Sequence, residues 1–306
     1  MIRADERGRI IFGCGNIGGL GSSPTLRDKG DSRERGLAML DQARALGLTR
    51  FDTANTYGGG VSETVLGEWL ADQGGAFRSL AQIATKVGNP HGCPPGERPL
   101  SRAQLAHHLD QSLRRLGVER IDLYYLHEFD PLTPLDETLE ALERALTQGK
   151  IAAFGVSNAT LKDVTAVLAL CDGALRRAFT HIQNQFNLLE QSDLEEVIPL
   201  ARANALRYVA FSPLAGGLLS GKYQQGRPPE AGTRVSDAPQ MYEPLLTPST
   251  FVAIADLRRR AMQQGWQVPG AALRFILDTS GVDSLIVAPR SAEQFEGYGI
   301  LQSSGI

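Results

Sequence analysis

Ile121-Asp122-Leu123-Tyr124-Tyr125-Leu126-His127 is a short apolar and aromatic run that ends on a histidine. Its length and its large side chains suit a strand buried on both faces. An amphipathic helical pattern follows at 135–148, and residues 152–156 form the next short run. Strand, helix, strand in that order is the unit of a parallel sheet. The same alternation extends to both ends of the chain. Further strands are expected at 10–14, 49–53, 80–86, 179–183, 207–211 and 284–287, and further helices at 33–46, 63–71, 101–116, 161–170, 193–204, 250–264 and 268–279. Ser101, with Gln104 three residues on, has the pattern of a capping box. Eight strands predict a single-domain α/β fold of the (β/α)8, or TIM barrel, type spanning 1–306. A doubly wound open sheet would alternate in the same way, and the count favours the barrel.

The 306 residues are 42% hydrophobic and 21% charged, enough for a large core. The net charge of −3 supplies no overall basic field for nucleic acid or an anionic membrane, so a small-molecule partner is expected. Cys14, Cys93 and Cys171 are widely spaced and leave one thiol over under any pairing, which suits a reducing compartment. The first residues lack the apolar stretch of a secretory signal, and no apolar run approaches a membrane span. A cytoplasmic location is the expectation; oligomeric state is open.

Gly13-Cys14-Gly15-Asn16-Ile17-Gly18 matches the letters of a dinucleotide-binding fingerprint. That fingerprint must open directly into a helix. Here it runs on into Gly19-Leu20-Gly21-Ser22-Ser23-Pro24, and the next helical pattern starts near Arg33, so the stretch reads as a glycine-rich loop. A second long loop spans 221–248, and loops of that length are usually functional or disordered.

Several strands end on polar residues, which in a parallel barrel all reach one mouth. Asp52 ends strand 2 within Phe51-Asp52-Thr53-Ala54-Asn55-Thr56-Tyr57-Gly58, Lys86 ends strand 3, and His127 ends strand 4. A lysine closing an apolar strand needs a partner, and Asp52 on the neighbouring strand can keep it charged. A charged Lys86 beside Tyr57 is expected to lower the phenol pKa from about 10 and make it a usable acid. His127 would then be a second hydrogen-bond donor for a carbonyl oxygen.

These stretches, together with Ser62-Glu63, Ala84-Thr85-Lys86, Leu126-His127, Gly155–Asn158, Gln183–Leu189 and Phe211–Tyr223, resemble the aldo-keto reductase family over nearly the whole chain. The resemblance implies an oxidoreductase that reduces an aldehyde or ketone with NADP(H). It gives Asp52, Tyr57, Lys86 and His127 the places of the catalytic tetrad, with Tyr57 as proton donor and no metal. Ser157, Asn158 and Gln183 match residues that hold the nicotinamide carboxamide, and Phe211 matches the residue that stacks on the ring. Ser212, Pro213, Leu214, Gly216 and Lys222 fall in the region around the pyrophosphate, and Arg234 matches a basic residue that secures the cofactor in some members. Arg290 and Gln294 match positions near the adenosine 2′-phosphate and adenine, where a cation favours NADP over NAD.

Two departures stand out. Tyr298 occupies a position where the family usually has Asn, and little sequence precedes strand 1 for the hairpin that commonly closes the barrel floor. Two other functions share the same residues. One is a lyase or aldolase forming a Schiff base on Lys86; the other is a nicotinamide-sensing regulatory subunit, like the related potassium-channel β subunits.

Overall fold

The computed structural model describes residue 2, residues 4–94 and residues 96–299. Eight parallel strands, β1 (Ile10–Gly13), β2 (Arg50–Asp52), β3 (Gln82–Val87), β4 (Leu123–Leu126), β5 (Phe154–Ser157), β6 (Phe179–Gln185), β7 (Arg207–Phe211) and β8 (Ser284–Val287), close into a barrel in chain order. The seam is the pairing of β1 with β8, where Ile11 faces Ile286 in register. This is a TIM barrel.

Alternation along the strands divides the core into two. Phe12, Phe51, Ile83, Tyr124, Phe154 and Ile182 point outward into one large apolar layer shared with the surrounding helices. Ile11, Val209 and Ile286 form a small separate cluster with Phe211 packed on it, the filling of the barrel itself. Residues of this inward set include Asp52, Lys86 and Gln183, so the same two-residue period that fills the barrel brings polar groups to its mouth.

Helices Arg33–Ala45, Val61–Ala71, Arg102–Leu116, Leu135–Thr147 and Leu161–Leu170 fall where the sequence predicts them, within a few residues. The departures have local causes. The expected strand 80–86 starts at Gln82, because Leu80 ends a short helix, Gly75–Leu80. The expected helix 193–204 begins only at Val197. Asp193 does not cap it; its carboxylate accepts from Asn184 and from the Tyr208 hydroxyl, at 2.7 and 2.6 Å. At Ser101 only half of the capping box forms: Ser101 Oγ accepts from the Gln104 N–H, while the Gln104 side chain turns to Glu97. The long loop 221–248 holds two short helices, Arg234–Asp237 and Pro239–Tyr242.

At the floor, a 3-10 turn, Ala4–Arg9, takes the place of a hairpin. Arg9 donates to the carbonyls of Val282 and Asp283 just before β8, and Glu6 pairs with Arg274 through both carboxylate oxygens at 2.7 and 2.8 Å. Among the described residues no helix is long and apolar enough to cross a membrane.

Candidate active site

The glycine-rich first loop leads from β1 into a 3-10 turn, Pro24–Lys29, and the first helix begins at Arg33, so no helix N-terminus follows the G-x-G-x-x-G letters. The loop instead packs against the segment after β2. Gly58 has φ +56°, and a β-carbon there would lie 2.7 Å from the Gly18 carbonyl. Only glycine fits so close an approach in the left-handed region. The contact fixes the residue just before it, Tyr57.

Lys86 is fully buried and Asp52 nearly so, and they form an ion pair. Lys86 Nζ also donates to the Thr53 carbonyl at 2.9 Å and reaches the Tyr57 hydroxyl at 3.3 Å. The other Asp52 oxygen accepts from Gln183 Nε2 at 2.8 Å, across the barrel from β6. The His127 ring meets the Tyr57 ring edge to face, 5.6 Å between centroids. Asp52, Tyr57, Lys86 and His127 thus come together at one mouth, as the sequence predicts.

The segment bearing Tyr57 is held from behind. Ser62 Oγ donates to the Cys14 carbonyl at 2.9 Å and lies 2.7 Å from Thr53 Oγ1. Glu63, fully buried, accepts from Thr85 at 2.5 Å and pairs with Arg115 at 2.7 Å, joining its own helix to β3 and to helix Arg102–Leu116. A carboxylate in that position is tolerated because both oxygens are satisfied.

The electrostatics overturn one expectation. Burial raises the Tyr57 pKa above its ordinary 10, and although the Lys86 charge opposes this, burial prevails. The lysine therefore limits the rise instead of producing a net fall. Lys86 itself is driven down by burial, but Asp52 and Tyr57 more than compensate and hold it above its ordinary value. A lysine so firmly charged is a poor Schiff-base nucleophile. His127 is pushed well below 6.5, first by burial and then by the Lys86 charge, so the imidazole is neutral at pH 7. Its Nδ1 is buried and has no partner among the described residues.

The model of the aldo/keto reductase family matches residues 9–298. The chain belongs to that family. Aldo/keto reductases use nicotinamide cofactors, and this one is an NAD(P)H-dependent oxidoreductase acting on carbonyl and CH–OH groups of small molecules. It is 33% identical over 264 residues to the uncharacterized oxidoreductase YrpG of Bacillus subtilis (strain 168), covering 84% of this chain and 78% of YrpG. It is 33% identical over 268 residues to the L-glyceraldehyde 3-phosphate reductase of Escherichia coli (strain K12), covering 85% and 76%. With the aldo-keto reductase YhdN of Bacillus subtilis (strain 168) it shares 32% identity over 292 residues, covering 95% and 84%.

In this aldo/keto reductase the candidate cofactor residues lie in or after β5, β6, β7 and β8. Ser157 ends β5, buried, and Asn158 follows with φ +51°. The Asn158 amide nitrogen donates to the His127 carbonyl at 2.9 Å and to Ser157 Oγ at 3.4 Å, and its Oδ1 has no partner among the described residues. A hydroxyl beside a spare amide oxygen is the donor and acceptor set that a carboxamide needs, so these residues fit a nicotinamide. Phe211 closes β7 above the barrel filling. After it come Ser212 with φ +56°, Pro213, Leu214 and Gly216, whose missing side chain leaves room for the Tyr242 ring. The Lys222 ammonium lies over the Tyr223 ring, 5.1 Å from its centre.

Arg234, on the first short helix of the long loop, donates to Asn16 Oδ1, and Asn16 Nδ2 donates to the Ala288 carbonyl at 2.9 Å. Asn16 lies within the G-x-G-x-x-G letters, and nothing in that pattern marks it for this contact. Arg290 is not a free cation: its Nε donates to Asp31 Oδ1 at 2.8 Å, and its backbone N–H is taken by Gln294 Oε1 at 2.9 Å. Tyr298 is buried in the outer apolar layer, and that burial raises its hydroxyl pKa to about 12.

Proposed function

We propose that this protein is an NADPH-dependent carbonyl reductase in which Tyr57 donates the proton. The observation that supports this most directly is the 3.3 Å approach of Lys86 Nζ to the Tyr57 hydroxyl inside an ion-paired, largely dry pocket. The nicotinamide, when bound, supplies hydride to the carbonyl carbon. Tyr57 gives its hydroxyl proton to the carbonyl oxygen, completing an alcohol, and is reprotonated from water. The Lys86 ammonium stabilises the phenolate as it forms, and Asp52 keeps that ammonium charged. Neutral His127 donates a hydrogen bond to the carbonyl oxygen and so fixes its direction.

In this reading Ser157, Asn158 and Gln183 hold the carboxamide, and Phe211 stacks on the ring. Ser212, Pro213, Leu214, Gly216, Lys222 and Arg234 surround the pyrophosphate, while Arg290 and Gln294 take the adenosine end. The described residues are read as one barrel domain. Free thiols at Cys14, Cys93 and Cys171 fit a reducing, cytoplasmic setting. The relationship to an L-glyceraldehyde 3-phosphate reductase makes small hydroxyaldehydes the first substrates to try.

The test is NADPH oxidation with a panel of aldehydes and ketones. Turnover is expected on some members, and Tyr57→Phe should cut it by about 10²-fold or more. Full turnover by the variant would remove Tyr57 from its role.

A further inference from the structure

Arg290 carries the proposed preference for NADPH, yet its surroundings hold another cation that no sequence motif marks. Asp31, only 4% exposed, lies directly before Ser32, the N-cap of helix Arg33–Ala45. Its backbone is fixed at both ends, Gly18 N–H donating to its carbonyl at 2.9 Å and its own N–H donating to the Asn16 carbonyl at 2.6 Å. Its carboxylate Oδ1 accepts from Arg290 Nε at 2.8 Å and lies 3.4 Å from Arg35 Nε. Arg35 in turn donates through Nε and Nη2 to the Arg290 carbonyl, at 3.0 and 2.7 Å.

Two guanidiniums therefore stand side by side on one buried carboxylate. Alone they would repel, and Asp31 offsets that repulsion while leaving the group of three at net +1. The nitrogens used are Nε of Arg290 and Nε and Nη2 of Arg35. Both terminal nitrogens of Arg290 and Nη1 of Arg35 have no partner among the described residues, and the two side chains are 28% and 51% exposed. Neighbouring Arg33 is excluded from such a role, because it is committed to Glu68 at 2.7 Å. Spare planar N–H donors on two adjacent cations match a phosphate monoester, which offers several oxygens and close to two negative charges.

We propose that Arg35 is a second cation for the 2′-phosphate of NADPH, and that Asp31 is the positioning residue that holds Arg35 and Arg290 together. This rests on the proposed placement of the adenosine end at Arg290.

The experiment is equilibrium titration of the full chain with NADPH and with NADH, followed by cofactor fluorescence, for wild type, Arg35→Ala, Arg35→Lys and Arg290→Ala. Arg35→Ala should weaken NADPH by about tenfold and NADH by less than about twofold, the loss growing smaller at high salt. Arg35→Lys, which keeps the charge and loses the planar fork, should fall between. Adenosine 2′-monophosphate should displace NADH, which lacks that phosphate, less well from Arg35→Ala than from wild type. If Arg290→Ala lowers the NADPH-to-NADH affinity ratio and Arg35→Ala leaves it at the wild-type value, the role of Arg35 is overturned and the cofactor site stands. If wild type binds both cofactors equally and Arg290→Ala changes nothing, the NADPH reading falls, and this one falls with it.

Discussion

The ammonium of Lys86 lies 3.3 Å from the Tyr57 hydroxyl and 4.9 Å from the centre of its ring, one residue carried by β3 and the other by the segment after β2. The lysine thus touches both the atom that would lose a proton and the ring that would share the resulting charge. Lys86→Met removes the one nearby charge that most restrains the phenol pKa, so phenolate formation followed by ultraviolet absorbance should shift to still higher pH. The rate of hydride transfer in a single turnover should fall by about 10²–10⁴-fold, with cofactor affinity as the control. An unchanged phenol titration would disconnect the two residues.

His127 gives an acid-side prediction. Its folded pKa is far below 6.5, so below pH 6.5 the unfolded chain binds a proton that the folded chain refuses. Stability from this residue is complete above about pH 6.5 and is lost as pH falls from there toward the depressed folded pKa. Urea midpoints between pH 8 and 5 should therefore drop more steeply for wild type than for His127→Gln. Parallel slopes would show that the histidine is not held neutral.

Glu63 is a stability residue behind the site. Glu63→Gln keeps an acceptor for Thr85 and leaves Arg115, itself only 24% exposed, without its counter-charge. A loss of about 1–3 kcal/mol in denaturant unfolding is expected. A change under about 0.5 kcal/mol would mean that the ion pair is energetically idle.

Gly58→Ala should act on the position of Tyr57. The new methyl group meets the Gly18 backbone, which cannot swing aside as a side chain can, and the residue is also forced to keep φ near +56°. A cost of about 1–3 kcal/mol is expected, together with a fall in kcat larger than the change in cofactor affinity. Thermal unfolding and steady-state kinetics read the two effects separately.

Much of this was legible in the sequence because it is local. Asp52, Lys86 and His127 each close an apolar run, and strand ends at a common mouth follow from parallel topology alone. The pKa of Tyr57 was not legible, since its direction depends on how far burial outweighs a neighbouring charge, and a motif carries no burial. Nor was the pairing of Arg290 with Asp31, which joins residues 259 positions apart across the barrel seam. Asp193 shows the same limit: its position suggests a helix cap, while its carboxylate is drawn away by Asn184 and Tyr208.

Asn16 ties together the segments that follow β1, β7 and β8, holding Arg234 with one end of its carboxamide and the Ala288 carbonyl with the other. Those three stretches accordingly behave as one mechanical unit. Insertions or deletions in any of them disturb the other two, whereas the connections after β3 and β4 are tied to each other, through Asn89 and Glu128 and through Leu100 and Asp130, and form a second unit in which substrate preference can change without moving the first.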